Sequence, residues 1–179
     1  MKKRKKLALT IVLILVLTIS MSIAAFAAVR ISRKRFTIAT NAPRWLHVDG
    51  TKKKVTWKST NTKVVTVKQN GVITGKKAGR ATVVAKVGGK SYKCAVTVLS
   101  DKQIANRLLS KVRAKYKYAS INEYYRSGSY LNVFVSRPQG EGAFWIIYKV
   151  NLKNGKAVAD DYETWRDLWR PAPRTMTVF

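Results

Sequence analysis

Between Val55 and Val98, hydrophobic and polar residues alternate almost one by one. Val55 and Trp57 share a parity. So do Val65 and Val67, then Ala81, Val83, Ala85 and Val87, then Tyr92, Cys94, Val96 and Val98, with Thr and Lys in most of the places between. A period of two puts alternate side chains on opposite faces of a strand, so each run predicts a short β-strand with one buried face. Turn residues separate the runs: Ser59-Thr60-Asn61, Asn70-Gly71, Gly75 with Gly79, and Gly88-Gly89. The Gly-Gly pair accepts the positive φ of a primed hairpin turn. Asn70-Gly71 predicts a tight turn into a short strand that Gly75 ends, and Gly79 lets the chain bend before Arg80 to Lys86 resumes pairing. Several short strands at this spacing predict a small β-sandwich.

The period changes after Leu99. Ser100-Asp101-Lys102-Gln103 fits a capping box, and Ile104, Leu108, Leu109 and Val112 recur at helical spacing, which predicts a helix from about Asp101 to Lys115 with one buried face. Strand-like runs follow at Ile121 to Tyr125, Tyr130 to Val135, Ala143 to Leu152 and Ala157 to Ala159, divided by Ser127-Gly128-Ser129, Arg137-Pro138-Gln139-Gly140-Glu141-Gly142 and Asn154-Gly155. That order predicts one helix on an antiparallel sheet of three or four strands, a small α+β module behind the sandwich.

The beginning of the chain bears on location. MKKRKK is followed by the apolar run Leu7 to Ile19 and by small residues ending in Ala25 and Ala27, the three-part pattern of a secretory signal peptide with cleavage after Ala27. The alternative is a retained membrane anchor, since Lys6 and Arg30 enclose an uncharged stretch and about 20 such residues span a bilayer. Basic residues before the apolar run hold that end inside under either reading, so the remainder is expected outside the cytoplasm, secreted or on the cell envelope. The predicted organisation is a leader at 1–27, a sandwich at 28–99 and the α+β module at 100–179. A single cysteine, Cys94, excludes an intrachain disulfide, and alternation makes it a small buried hydrophobe rather than a reactive thiol.

Charge sharpens the choice of partner. The chain carries 36 Lys and Arg against 8 Asp and Glu, a formal +28. Most of the excess falls at residues 28 to 98, where seventeen bases meet one acid, Asp49. Lys52, Lys53, Lys54, Lys76, Lys77 and Arg80 lie in or beside predicted turns and form the candidate polyanion-binding set. The structural alternative is solubility and protection of sheet edges, for which lysine is commonly used.

Catalytic and metal chemistry find little support. His47 is the only histidine and stands beside Trp45 and Leu46; a Ser-His-Asp or Cys-His site would have to recruit it from the sandwich. Asp160, Asp161, Glu163 and Asp167 form an acidic cluster whose spacing does not fit an EF-hand. Zinc lacks nitrogen and sulfur ligands, and no Gly-rich phosphate loop opens a helix. The expectation is therefore no enzyme, no cofactor and no metal. Trp145, Tyr148, Tyr162, Trp165 and Trp169 either fill the core of the sheet or line a ligand surface.

The residues Trp57-Lys58-Ser59-Thr60-Asn61, Val64-Val65-Thr66-Val67, Asn70-Gly71-Val72-Ile73-Thr74-Gly75, Gly79 and Val96-Thr97-Val98, in that order, resemble the bacterial immunoglobulin-like domain, group 2. The resemblance covers about Arg30 to Val98. It implies an extracellular β-sandwich used as a spacer or adhesive module on bacterial surfaces, without catalysis, and gives Trp57, Gly71, Gly75, Gly79 and Cys94 structural roles. Thr40 to His47 departs from the family pattern. FWIIYKVNLKNGKAV resembles, weakly, the strand-turn-strand of PepSY or cystatin-like modules, and nothing functional is carried over from it. The partners these readings leave are an anionic wall polymer or surface glycan, or another surface protein. A secreted inhibitor acting through the α+β module is the runner-up, and extracellular nucleic acid a third possibility.

Overall fold

A computed structural model describes residues 28–139, 142–160 and 175–179. The expected leader, and Asp161, Tyr162, Glu163, Trp165, Asp167 and Trp169, lie outside the described residues.

The first nine strands are β1 (Arg30–Ile31), β2 (Arg35–Ala39), β3 (Arg44–Trp45), β4 (Val48–Asp49), β5 (Thr56–Ser59), β6 (Val65–Val67), β7 (Val72–Gly75), β8 (Gly79–Val87) and β9 (Lys90–Leu99). One sheet has the order β2-β9-β8-β5 and the facing sheet β3-β7-β6, with β1 and β4 paired beside them. The alternating residues meet between the sheets: Ile38, Leu46, Trp57, Val65, Ile73, Ala81, Val83, Ala85, Cys94, Val96 and Val98 form one buried cluster. Trp57 keeps 7% of its surface, and Cys94 none.

Local chemistry accounts for the turns. Ser59 Oγ accepts from the Asn61 N–H, and Asn61 Oδ1 accepts from the Lys63 N–H, so these short polar side chains close the corner between β5 and β6. Asn70 Oδ1 likewise accepts from the Val72 N–H while Gly71 takes φ of 83°. At Gly75 the constraint is space: a Cβ there would lie 2.6 Å from Val98 Cγ1. The first strands add a pairing that alternation did not predict, β2 running parallel to β9 with Arg35 opposite Ala95 and Ala39 opposite Leu99.

After the sandwich, α1 (Asp101–Arg113) starts at the expected capping box. Ser100 Oγ accepts from the Gln103 N–H, and the Gln103 side chain accepts from the Ser100 N–H. The helix ends two residues before the expected Lys115. It packs on an antiparallel sheet of β10 (Ser120–Ser127), β11 (Tyr130–Gln139), β12 (Gly142–Asn151), β13 (Lys156–Asp160) and β14 (Thr175–Thr177). Among the described residues the sheet thus has five strands rather than three or four. The added one is three residues long, too short for alternation to mark, and Ala157 pairs with Met176 across it.

Ile104, Ala105, Leu108 and Val112 of the helix are buried with Leu131, Val133, Val135, Ile146, Tyr148 and Val150 of the sheet. Ala39, Ala42 and Leu99 belong to this second cluster too, so the end of the sandwich is part of the α+β core. Arg126 reinforces the junction. Its guanidinium donates to both carboxylate oxygens of Asp101, to the Thr40 carbonyl at 2.8 Å and to Thr40 Oγ1 at 3.2 Å. Among the described residues no helix is long and apolar enough to cross a membrane.

Candidate functional site

The six candidate polyanion-binding residues do not form one patch. Lys52, Lys53 and Lys54 precede β5, beside the Gly88-Gly89 hairpin, whereas Lys76, Lys77 and Arg80 stand where β7 gives way to β8. The nine residues of β8 separate these ends by about 27 Å at the usual strand rise, well beyond the screening length of about 8 Å at physiological salt. All six side chains are exposed.

The first group helps to line a cavity. Lys52, Lys53 and Lys90 surround a cleft of about 1120 Å³ whose apolar wall includes Val87 and Tyr92. Lys53 lies across Gly88, its Nζ 3.6 Å from where a Cβ of that residue would stand. Three exposed ammonium groups around a shallow apolar floor attract anions by Coulomb force and impose little geometry, since ammonium is a hydrated point charge on a flexible stem.

A second cleft, of about 530 Å³, is lined by Arg33, Phe36, Arg44, Trp45, His47 and Lys153 among others. The guanidinium carbons of Arg33 and Arg44 both lie over the Phe36 ring, 5.1 and 5.2 Å from its centroid, within cation–π range. The Nε of Arg44 is buried without a hydrogen-bond partner. Burial first, and then the neighbouring Arg33 charge, pull the Arg44 guanidinium below its ordinary pKa. Trp45 stands 66% exposed at the same place.

The reason for the missing counter-charge is in the sequence. Asp49, the only acid between residues 28 and 98, already faces Arg30 Nε at 3.6 Å and His47 Nε2 at 3.3 Å. His47 is therefore an exposed partner of Asp49, and its backbone N–H is held by Ser32 Oγ at 3.1 Å.

Counting lysines in turns pointed away from this cleft. Arg33 and Arg44 belong to the basic excess, and the packing of the two sheets brings them together: β2, which follows Arg33, lies in one sheet, and β3, which holds Arg44 opposite Ile73 of β7, lies in the other. The available signal was the shortage of acids around two arginines near aromatic residues.

Cys94 lies buried in the sandwich core. Burial pushes its thiol up to about 11, against a smaller downward pull from Arg33. Of the candidate ligand-surface aromatics, Tyr148 is wholly buried, whereas Trp145 is half exposed on the sheet face away from α1. Tyr125 shares that face and packs its ring 5.8 Å from Phe134.

These features can be set beside known proteins. The model of the bacterial Ig-like domain (group 2) matches residues 25–98. That interval takes in the sandwich strands up to Val98 and ends one residue before Leu99, the last of β9, which is buried with the second core. No curated protein matches the chain. Among solved structures, a GH10 xylanase from termite gut containing a bacterial Ig-like domain is 15% identical over 36% of this chain and 18% of its own, with a TM-score of 0.34. The S-layer protein rSbsC(31-844) is 12% identical over 74% of this chain and 22% of its own, with a TM-score of 0.35. The chain spans about a fifth of the length of either.

Proposed function

We propose that the chain is an exported, surface-associated binding protein, held by its Ig-like domain to an anionic polymer of the cell surface and acting by binding rather than by catalysis. The observation that carries this reading is the charge of the sandwich, seventeen bases against one acid that is itself already paired, with Lys52, Lys53 and Lys90 gathered around one cleft. Edge protection requires lysines on strands; it does not require the near absence of carboxylates. The leader-like start and the Ig-like match support a place outside the cytoplasm, and the second module stiffens or extends the first through their shared core.

Co-sedimentation with purified walls, before and after removal of their anionic polymers, tests this across a salt series. Attraction of this kind weakens steeply with salt because association releases counterions. Replacing Lys52, Lys53 and Lys54 by Gln is expected to lower retention and flatten its salt dependence while leaving the fold intact; changing Lys76 and Lys77 is expected to do so less. Equal retention of wild type and both variants on both wall preparations refutes the proposal.

A second reading is favoured by one feature, the half-exposed Trp145 with Tyr125 and Tyr130 on the open face of the second sheet. Exposed aromatics there suit a protein partner, as in a secreted inhibitor of an extracellular enzyme. Trp145→Ala distinguishes the two, since it leaves wall retention unchanged and abolishes capture of such an enzyme only under the second reading.

A further inference from the structure

From the cleft between β2 and β3 we infer a discrete binding site for a phosphate group carried on a sugar, with Arg33 and Arg44 as the anion clamp and Trp45 as the sugar platform. The site is separate from the lysine cleft, and only the source of its ligand, a phosphate-bearing surface polymer, rests on the function proposed above.

Several independent features converge here. Arg33 and Arg44 share the Phe36 ring, and neither has a carboxylate partner among the described residues. A partly desolvated guanidinium beside another cation is disfavoured unless an anion supplies what the protein does not. The Nε of Arg44 is buried with no acceptor, which leaves the terminal nitrogens of the same fork to meet an anion in the cleft. Lys153, on the turn between β12 and β13, adds a third cation to the lining.

Group chemistry narrows the ligand. A carboxylate offers two oxygens and one charge. A phosphate monoester offers three terminal oxygens and up to two charges, which match two planar forks and an ammonium better. Trp45 presents an exposed aromatic surface on which the apolar face of a pyranose can lie, and the cleft volume falls within the usual range for small-ligand sites.

The test is titration calorimetry of the purified full chain with glucose 6-phosphate, inorganic phosphate, glucuronate and glucose, together with a thermal-shift series. Saturable binding of one glucose 6-phosphate is expected, about tenfold or more tighter than glucuronate and with glucose not bound, accompanied by a rise in melting temperature as for any ligand of the native state alone. Arg44→Gln should weaken it by about tenfold to a hundredfold, as loss of a hydrogen bond to a charged group does. Arg44→Lys keeps the charge and much of the stem but loses the fork, and should recover only part of the affinity. Trp45→Ala should bring glucose 6-phosphate down to the affinity of inorganic phosphate.

Three results overturn the inference: no saturable binding of any phosphate, full affinity in folded Arg44→Gln and Arg44→Lys proteins, or the same loss when Lys52, Lys53 and Lys54 are changed instead. Wall retention is measured on the same variants. If sugar phosphate binds but retention is independent of charge, the inference stands and the wall proposal fails; if retention follows the lysines but no phosphate binds, the reverse holds.

Discussion

Adding a single methyl group at Gly71 probes the sandwich where the turn after β6 meets the interior. Gly71 holds φ of 83°, a conformation in which an L-residue pays about 1–2 kcal/mol. The new Cβ would also lie 2.1 Å from the Leu46 carbonyl oxygen and 3.3 Å from Trp57 Cζ2. The first contact is impossible without backbone movement, and the backbone that must move is held by the Leu46 N–H donating to the Gly71 carbonyl at 3.0 Å. Overpacking of this kind costs about 1–3 kcal/mol, and weakening the hydrogen bond about 0.5–1.5 more. Gly71→Ala should therefore destabilise by about 3–5 kcal/mol. Gly89→Ala is the internal control: Gly89 has nearly the same φ, 80°, but nothing lies within 4 Å of its Cβ position, so only the conformational cost of about 1–2 kcal/mol remains. Urea unfolding of both variants, with unchanged m-values, measures the difference. Equal losses would show that Leu46 and Trp57 do not close over this turn, and would refute the packing argued for the centre of the sandwich.

Two further outcomes follow from the interior and the junction. With the Cys94 thiol at about 11 in the folded chain and near 8.5 when unfolded, the native state keeps a proton that the unfolded state loses, so stability falls as pH rises from about 9 to 11. Cys94→Ala should show a shallower fall over that window, and the native thiol should resist an aromatic disulfide reagent at pH 8; identical pH slopes would refute the assignment. Arg126→Ala leaves Asp101 and Thr40 without their shared donor and should cost about 2–3 kcal/mol by urea unfolding, with Arg126→Lys recovering less than half. A neutral alanine variant would mean that the junction rests on Ala39, Ala42 and Leu99 alone.

The sandwich was legible from Thr56 onward because its information is local. Each alternating run names its own buried face, and Asn61, Asn70 and the Gly88-Gly89 pair close their corners with contacts only a few residues apart. The helix was legible for the same reason, with Ser100 and Gln103 exchanging bonds across one turn. What the sequence did not reveal depends on long separations. β2 finds β9 across the whole sandwich, β14 joins its sheet with three residues, and Arg126 reaches Thr40 from the far module. The arginine cleft was hidden as well. Arg33, Phe36 and Arg44 fall within twelve residues but at no common strand parity, Lys153 comes from the second module, and turn position selected lysines whose two groups stand at opposite ends of β8.

The two kinds of positive charge are suited to different tasks. The lysines at the ends of the sandwich are exposed and keep their hydration, so they cost little in the free protein and act over distances that salt cuts short. Arg44 is the opposite case: partly buried, beside Arg33, with one nitrogen unsatisfied, it is disfavoured in the free state by desolvation and by like charge. Such a cost persists in a fold only when the surrounding packing or a ligand compensates it. Packing supplies part, through the Phe36 ring beneath both guanidiniums. An aromatic face offers a cation its quadrupole but no lone pair in the plane of the fork, so the in-plane donors still need an acceptor. Sharing the tasks in this way lets lysines raise the rate of encounter with any polyanion while the arginines decide which anion stays. Affinity for a small phosphate ester should then survive salt concentrations at which wall retention through the lysines has already been lost.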